Sequence, residues 1–248
     1  MGIFNYKNGN IYYSVKGEGS PIVFLHGFGL DSRMWKLQVE FFSKNHKVLI
    51  YDLRGFGKSS IPTEEYSHYD DLRALLDHLE IQKAKIVGHS FGGQVAIDFA
   101  LEYPEYVDSL VLISTGLGGF SFENKLWNEL SELKDVKKIR EKMLENEIFD
   151  SLRSDFEMNN LILNMVEEYS CWHFLNVDPV IKLNPSAVDI LNELKCPVKV
   201  ILGENDIDVQ KDIAKKLEED LNIQAIKIPN SGHMVNLERP EVINDLIS

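Results

Sequence analysis

A mostly parallel α/β sheet flanked by helices, with a helical insertion late in the chain, is the fold class that these 248 residues predict. Three observations carry the prediction. Apolar runs recur at Ile22-Val23-Phe24-Leu25, Val48-Leu49-Ile50, Ile86-Val87, 107–113 and 196–202, as expected of strands buried on both faces. Amphipathic runs separate them, which makes each connection a crossover helix. Between Gly116 and Ala187 the alternation stops and only helical periodicity remains.

In chain order, short strands over 3–6 and 11–15 flank an Asn8-Gly9-Asn10 turn, a hairpin signal. Gly17-Glu18-Gly19-Ser20-Pro21 reads as a loop, and the strand over 22–25 runs into His26-Gly27-Phe28-Gly29. Asp31 or Ser32 caps a helix reaching about Ser43. A strand over 46–53 ends in the glycine-rich Asp52-Leu53-Arg54-Gly55-Phe56-Gly57-Lys58-Ser59. Leu72, Leu75, Leu76 and Leu79 then stand at i, i+3, i+4 and i+7 of a helix. Ile86-Val87 leads into Gly88-His89-Ser90-Phe91-Gly92, and a helix over 94–103 is stopped by Pro104. After the strand over 107–113, the helical stretch presents three apolar faces: Leu126, Leu130 and Leu133; Ile139, Met143 and Leu144; and Leu161, Ile162, Met165, Val166 and Tyr169. A strand over 196–202, a helix over 209–221, a strand over 223–228 and a short last helix complete an eight-stranded sheet. The expected division is a core domain of 1–115 with 188–248, and a helical cap of 116–187.

Composition narrows the function classes. The net charge of −13 argues against nucleic acid and anionic membrane surfaces as partners. No apolar run approaches the roughly 20 residues of a membrane span. The opening residues lack a signal-like apolar stretch, and Tyr6 stands where myristoylation wants Ser or Thr. Cys171 and Cys196 have no metal spacing and read as reduced thiols of a cytoplasmic protein. His46, His68, His78 and His173 assemble no ligand set by spacing, so neither metal nor cofactor is expected. Residues 116–187 hold 13 acids against 8 Lys and Arg, which does not suggest a phosphate grip. A monomer or homodimer is expected.

The chemistry gathers at strand ends. A strand–turn–helix with serine at its apex needs small residues two before and two after, and Gly88 and Gly92 supply them. The following helix aims its free N–H groups at the serine oxygen. His26-Gly27, Asp206 and His233 follow three other strands, and ligands of open α/β sheets bind beyond such ends. Taken together, His26-Gly27-Phe28-Gly29, the Asp52–Ser59 loop, Gly88-His89-Ser90-Phe91-Gly92-Gly93, Gly203-Glu204-Asn205-Asp206 and Ser231-Gly232-His233 resemble the α/β-hydrolase superfamily over nearly the whole chain.

The resemblance implies the α/β-hydrolase fold and a triad of Ser90 as nucleophile, His233 as base and Asp206 as orienting acid. The oxyanion donors it implies are the backbone N–H groups of Phe28 and Phe91. Asp208 is the second candidate acid, because the family often places Pro after the acid and this chain has Ile207. Ser114 occupies an acid position used by some relatives, which supports the later one. Ser90 disfavours the dehalogenase and epoxide-hydrolase relatives, which carry Asp there.

His26 is expected to tie the oxyanion loop to neighbouring backbone, and Asp52, Arg54, Gly55 and Gly57 to be scaffold. Trp35 either touches substrate or fills the core. Phe28, His89, Trp127 and Trp172 are the expected substrate-binding residues. Trp127, Phe149, Phe156, Met158, Met165, Trp172 and Phe174 are expected to pack cap on core and enclose an apolar acyl or alkyl pocket. The implied activity is hydrolysis of a small to medium carboxylic ester, lactone or thioester, with water as second substrate. Perhydrolase or haloperoxidase chemistry, C–C bond hydrolysis, and a slow-turnover small-molecule receptor are the alternatives.

Overall fold

Strands β1 (Gly2–Tyr6), β2 (Gly9–Lys16), β3 (Pro21–Leu25), β4 (Lys47–Tyr51), β5 (Ala84–His89), β6 (Val107–Ile113), β7 (Val198–Gly203) and β8 (Ile226–Ile228) join in one sheet. Their order is β1-β2-β4-β3-β5-β6-β7-β8. The computed structural model describes residues 1–123 and 125–248. β1 pairs antiparallel with β2, and β2 with β4; the five remaining pairings are parallel. The central strands are the most apolar, and Ile22, Val23, Phe24 and Leu25 are all but inaccessible. That is the α/β-hydrolase fold, with the eight strands the sequence predicts.

The hairpin turn sits earlier than expected. Tyr6 pairs with Gly9, so Lys7-Asn8 forms the loop, with Lys7 at φ 50°. Gly9 opens β2 instead. A Cβ there would collide with the Arg54 guanidinium, so this glycine answers a tertiary contact.

Helices α1 (Lys36–Phe42), α2 (His68–His78) and α3 (Phe91–Glu102) connect the first parallel strands. The Asp31 carboxylate accepts the Arg33 N–H at the start of a 3₁₀ turn that runs into α1, and Ser67 caps α2. α2 packs on α3. Asp52 is buried and accepts from Ser32 N (2.9 Å) and Lys58 N (2.8 Å), pinning two loops. Arg54 donates twice to Asp71, at 2.8 Å each, with both side chains buried. The scaffold role expected of Asp52 and Arg54 is what these bonds perform. Removing one partner strands the other charge, so Asp71→Ala is expected to destabilise by about 3–5 kcal/mol. Denaturant unfolding measures it, and a loss below about 1 kcal/mol would contradict it.

Between β6 and β7 lie α4 (Lys125–Leu133), α5 (Val136–Leu144), a 3₁₀ turn (Glu147–Leu152), α6 (Phe156–Glu168) and α7 (Trp172–Leu175). The stretch carries no strand among the described residues, apart from one bridge between Tyr66 and Val180. Leu130, Ile139, Met143, Ile162, Met165, Val166 and Tyr169 are buried as the periodicity predicts. Phe156 is not: it is 83% exposed. It precedes the inward stripe Met158, Ile162, Met165 and Val166 by two residues, about 200° around the helix from Met158. Leu133, also expected inward, is partly exposed at the end of α4.

After β7, α8 (Asp208–Leu221) leads to β8, and α9 (Val235–Glu238) and α10 (Pro240–Ile247) close the chain. α10 packs on α1.

Candidate active site

Ser90 is the residue between β5 and α3, at φ 52° and ψ −117°. A serine in this region is strained by about 1–3 kcal/mol and persists only where its surroundings hold it. Four backbone bonds do so. Ser90 N donates to Ile113 O (3.0 Å), and Ser90 O accepts from the N–H groups of Gly93, Gln94 and Gly116. The glycines are required by close approach. A Cβ on Gly88 would lie 2.6 Å from Gly93 Cα, and one on Gly92 would lie 2.5 Å from Leu25 C. α3 begins at Phe91, three residues sooner than the sequence suggests, so its first free N–H belongs to the residue beside Ser90.

Among the described residues, no protein acceptor takes the backbone N–H of Phe28 or Phe91. Their rings meet edge to face at 5.9 Å. Gly27, next to Phe28, comes so close that a Cβ there would lie 3.6 Å from Ser90 Cβ. Phe28 follows that glycine and Phe91 opens α3 beside Ser90, so the two expected oxyanion donors come from different elements.

His233 and Asp206 are joined by a 2.8 Å bond between Nδ1 and Oδ1, and both side chains are buried. Their loops are stitched by backbone: Asn205 N donates to Ser231 O at 2.9 Å. Burial would raise the Asp206 carboxyl, but His233, with help from Ser114 and the Ile207 N–H, holds it below the usual range. The other candidate acid, Asp208, is fully exposed and lies 3.8 Å from Lys211. Ser90 and His233 line one cavity. No hydrogen bond links them among the described residues; such contacts often tighten only around substrate.

Two further histidines are bonded into the same loops. His89 donates from Nε2 to the backbone oxygen of His233 (2.9 Å), and burial drops its pKa to about 3. His26 accepts from Leu53 N at Nε2 and donates from Nδ1 to Gly27 O, each at 2.9 Å. It ties the Gly27-Phe28 loop to backbone, as expected, and its burial disfavours the charged form. Trp35 is wholly buried against Phe24, so it fills the core.

The cavity measures about 1150 Å³. Of the expected substrate-binding residues, Phe28, His89 and Trp127 line it and Trp172 does not. Its ring stands edge-on to His173 at 5.1 Å, and His173 joins Phe174, one of the expected enclosing residues, on the wall. The residue before α7, Cys171, is left-handed at φ 57°. His68, Asp98 and Asp178 also line the cavity, and their separate positions in the sequence carried no signal of it. No group of His, Cys, Asp or Glu among the described residues has metal-holding geometry.

The buried histidines set an acid dependence. Burial lowers His68 and His89 to about 3 and His173 to about 4, against 6.5 for the free side chain. Unfolding lets each take a proton below pH 6.5, so stability is intact above that pH and is lost as pH falls toward 4. Asp98 works the other way: burial raises it to about 7, so the fold keeps a proton that the free carboxyl, at 3.8, would release. It offsets one histidine between those limits. Stability in denaturant is expected to fall between pH 6.5 and 4.5, less steeply for His68→Gln by up to one proton. Equal slopes for the two proteins would refute the assignment to His68.

The family model described as "Alpha/beta hydrolase family" matches residues 22–246. A 2-hydroxy-6-oxononadienedioate/2-hydroxy-6-oxononatrienedioate hydrolase of Paraburkholderia phymatum is 31% identical over 259 residues, covering 96% of this chain and 89% of its own length. Est816, described as an N-acyl homoserine lactone degrading enzyme, superposes with TM-score 0.83 at 27% identity, over 99% of this chain and 98% of that one. A thermophilic esterase from Thermogutta terrifontis gives TM-score 0.77 at 26% identity, over 96% and 92%.

Proposed function

The chain belongs to the alpha/beta hydrolase family, and from that premise we propose that it is a serine hydrolase of small to medium carboxylic esters, lactones or thioesters. The observation that carries this reading is the strained Ser90 sharing one cavity with a buried His233–Asp206 pair. Ser90 Oγ attacks the carbonyl carbon while His233 Nε2 takes its proton. The N–H groups of Phe28 and Phe91 hold the oxyanion, a contribution worth roughly a hundredfold or more per donor. His233 then protonates the leaving group, and the acyl group stays on Ser90. Water, deprotonated by the same imidazole, releases the acid. Asp206 fixes the imidazole tautomer and stabilises its charged form. Residues 116–187 act as a cap over the crevice, with 1–115 and 188–248 as core.

A fluorophosphonate probe tests the nucleophile directly. Mass spectrometry is expected to find the label on Ser90, and a label elsewhere would refute the assignment. The Paraburkholderia relative favours a second reading, C–C bond hydrolysis at the same residues. Turnover of a vinylogous 1,5-diketone acid above that of any ester would select it.

A further inference from the structure

One carboxyl on the cavity wall takes no part in that reaction. Asp98 lies on α3, reached from Ser90 through Gln94 in steps of four, and all three residues line the cavity. Eight residues of helix span about 12 Å. The Asp98 Oδ1 atom is buried and has no hydrogen-bond partner among the described residues. Asp98 also forms no ion pair among them, and burial alone pushes it up to about 7. The backbone facing it is Gly118, where a Cβ would stand 3.1 Å from Oδ1. A glycine there lets the backbone pack directly against the carboxyl, where a side chain would press on it.

Desolvating a carboxylate without a partner is costly, and a cation placed against it removes that penalty. The rest of the cavity wall has the same sign. Glu123, Glu147, Asp178, Asp208 and Asp212 face it, against Lys125 and Lys182. Lys125 lies 3.8 Å from Glu123. A cavity lined by one sign of charge concentrates ligands of the other.

We propose that the cavity takes an ester or lactone bearing an organic ammonium group, with Asp98 as its counter-ion. The inference rests on the hydrolase reading for the reacting group, and on Asp98 alone for the cation. At about 1.2 Å per bond, the helix span corresponds to a chain of roughly eight to ten bonds between carbonyl and cation.

The test uses pairs of nitrophenyl esters of graded length, ending in trimethylammonium or in the isosteric tert-butyl group, at pH 8. The wild-type protein is expected to favour the cationic member about tenfold or more in kcat/KM at one chain length. Asp98→Asn is expected to bring that ratio down about tenfold, and Asp98→Ser, a second variant in case the first folds poorly, to do the same. Asp245→Asn, which alters an exposed charge on α10 away from the cavity, is expected to keep the ratio. A wild-type ratio near one, or a ratio untouched in both Asp98 variants, would overturn the proposal. Calorimetric binding of alkyltrimethylammonium ions against their neutral isosteres repeats the comparison without turnover. If no ester is hydrolysed, or Ser90→Ala hydrolyses as fast as wild type, the hydrolase reading fails. The binding comparison still decides the role of Asp98: a cation preference lost in its variants supports it, and equal binding of the two ligands refutes it.

Discussion

Ser90→Ala is expected to lower kcat for a nitrophenyl ester by at least about 10⁴-fold, with KM little changed. The methyl group cannot form the acyl bond, whereas the Phe28 and Phe91 N–H groups and the cavity remain. Alanine also meets the same backbone demand, because φ 52° strains either residue equally. The variant is therefore expected to melt within a few degrees of the parent, so lost turnover reports chemistry. Stopped-flow and steady-state assays on graded chain lengths measure it. Retention of more than about 1% of the parent kcat would remove Ser90 from the mechanism.

Asp206→Asn is expected to cost roughly 10⁴-fold in kcat, whereas Asp208→Asn stays within about twofold. An asparagine at 206 presents either its amide oxygen or its N–H₂ to His233 Nδ1, without the charge that stabilises the imidazolium. The 2.8 Å bond and full burial tie the effect to Asp206, and the complete exposure of Asp208 leaves it nothing to orient. The two variants assayed side by side decide the matter. A larger loss at 208 than at 206 would reverse the assignment.

The chemistry was more legible than the pocket. Buried parallel strands announce themselves as apolar runs, and residues at their ends are brought together by topology, so the placement of Ser90, His233 and the Gly27-Phe28 loop around one cavity could be read directly. Which of Asp206 and Asp208 meets His233 became readable only from the turn after Gly203, where the Asn205 and Ser231 backbones meet. Features set by distant contacts stayed hidden. Gly9 reads as a turn residue until Arg54 is seen above it. His173, rather than Trp172, joins the expected Phe174 on the wall, and the left-handed Cys171 before them is a conformation no local pattern demands of a cysteine. Asp98 sits on α3 like a solvated acid, and its burial comes from Gly118 and the chain beyond β6.

β6 and β7 are adjacent and parallel, with Leu110 opposite Val198 and Ile113 opposite Ile201. The long crossover, with four α-helices among its described residues, leaves and returns at neighbouring positions of the sheet. Closing a flexible connection costs only about 0.6 kcal/mol more for each doubling of its length. The crossover can therefore be lengthened, trimmed or exchanged while every ladder bond around Ser90 and Asp206 stays in register. The walls that the crossover lends to the cavity are thus heritable apart from those of α3: a transplanted crossover would reshape one side of the cavity and leave Ser90 and Asp98 where they are.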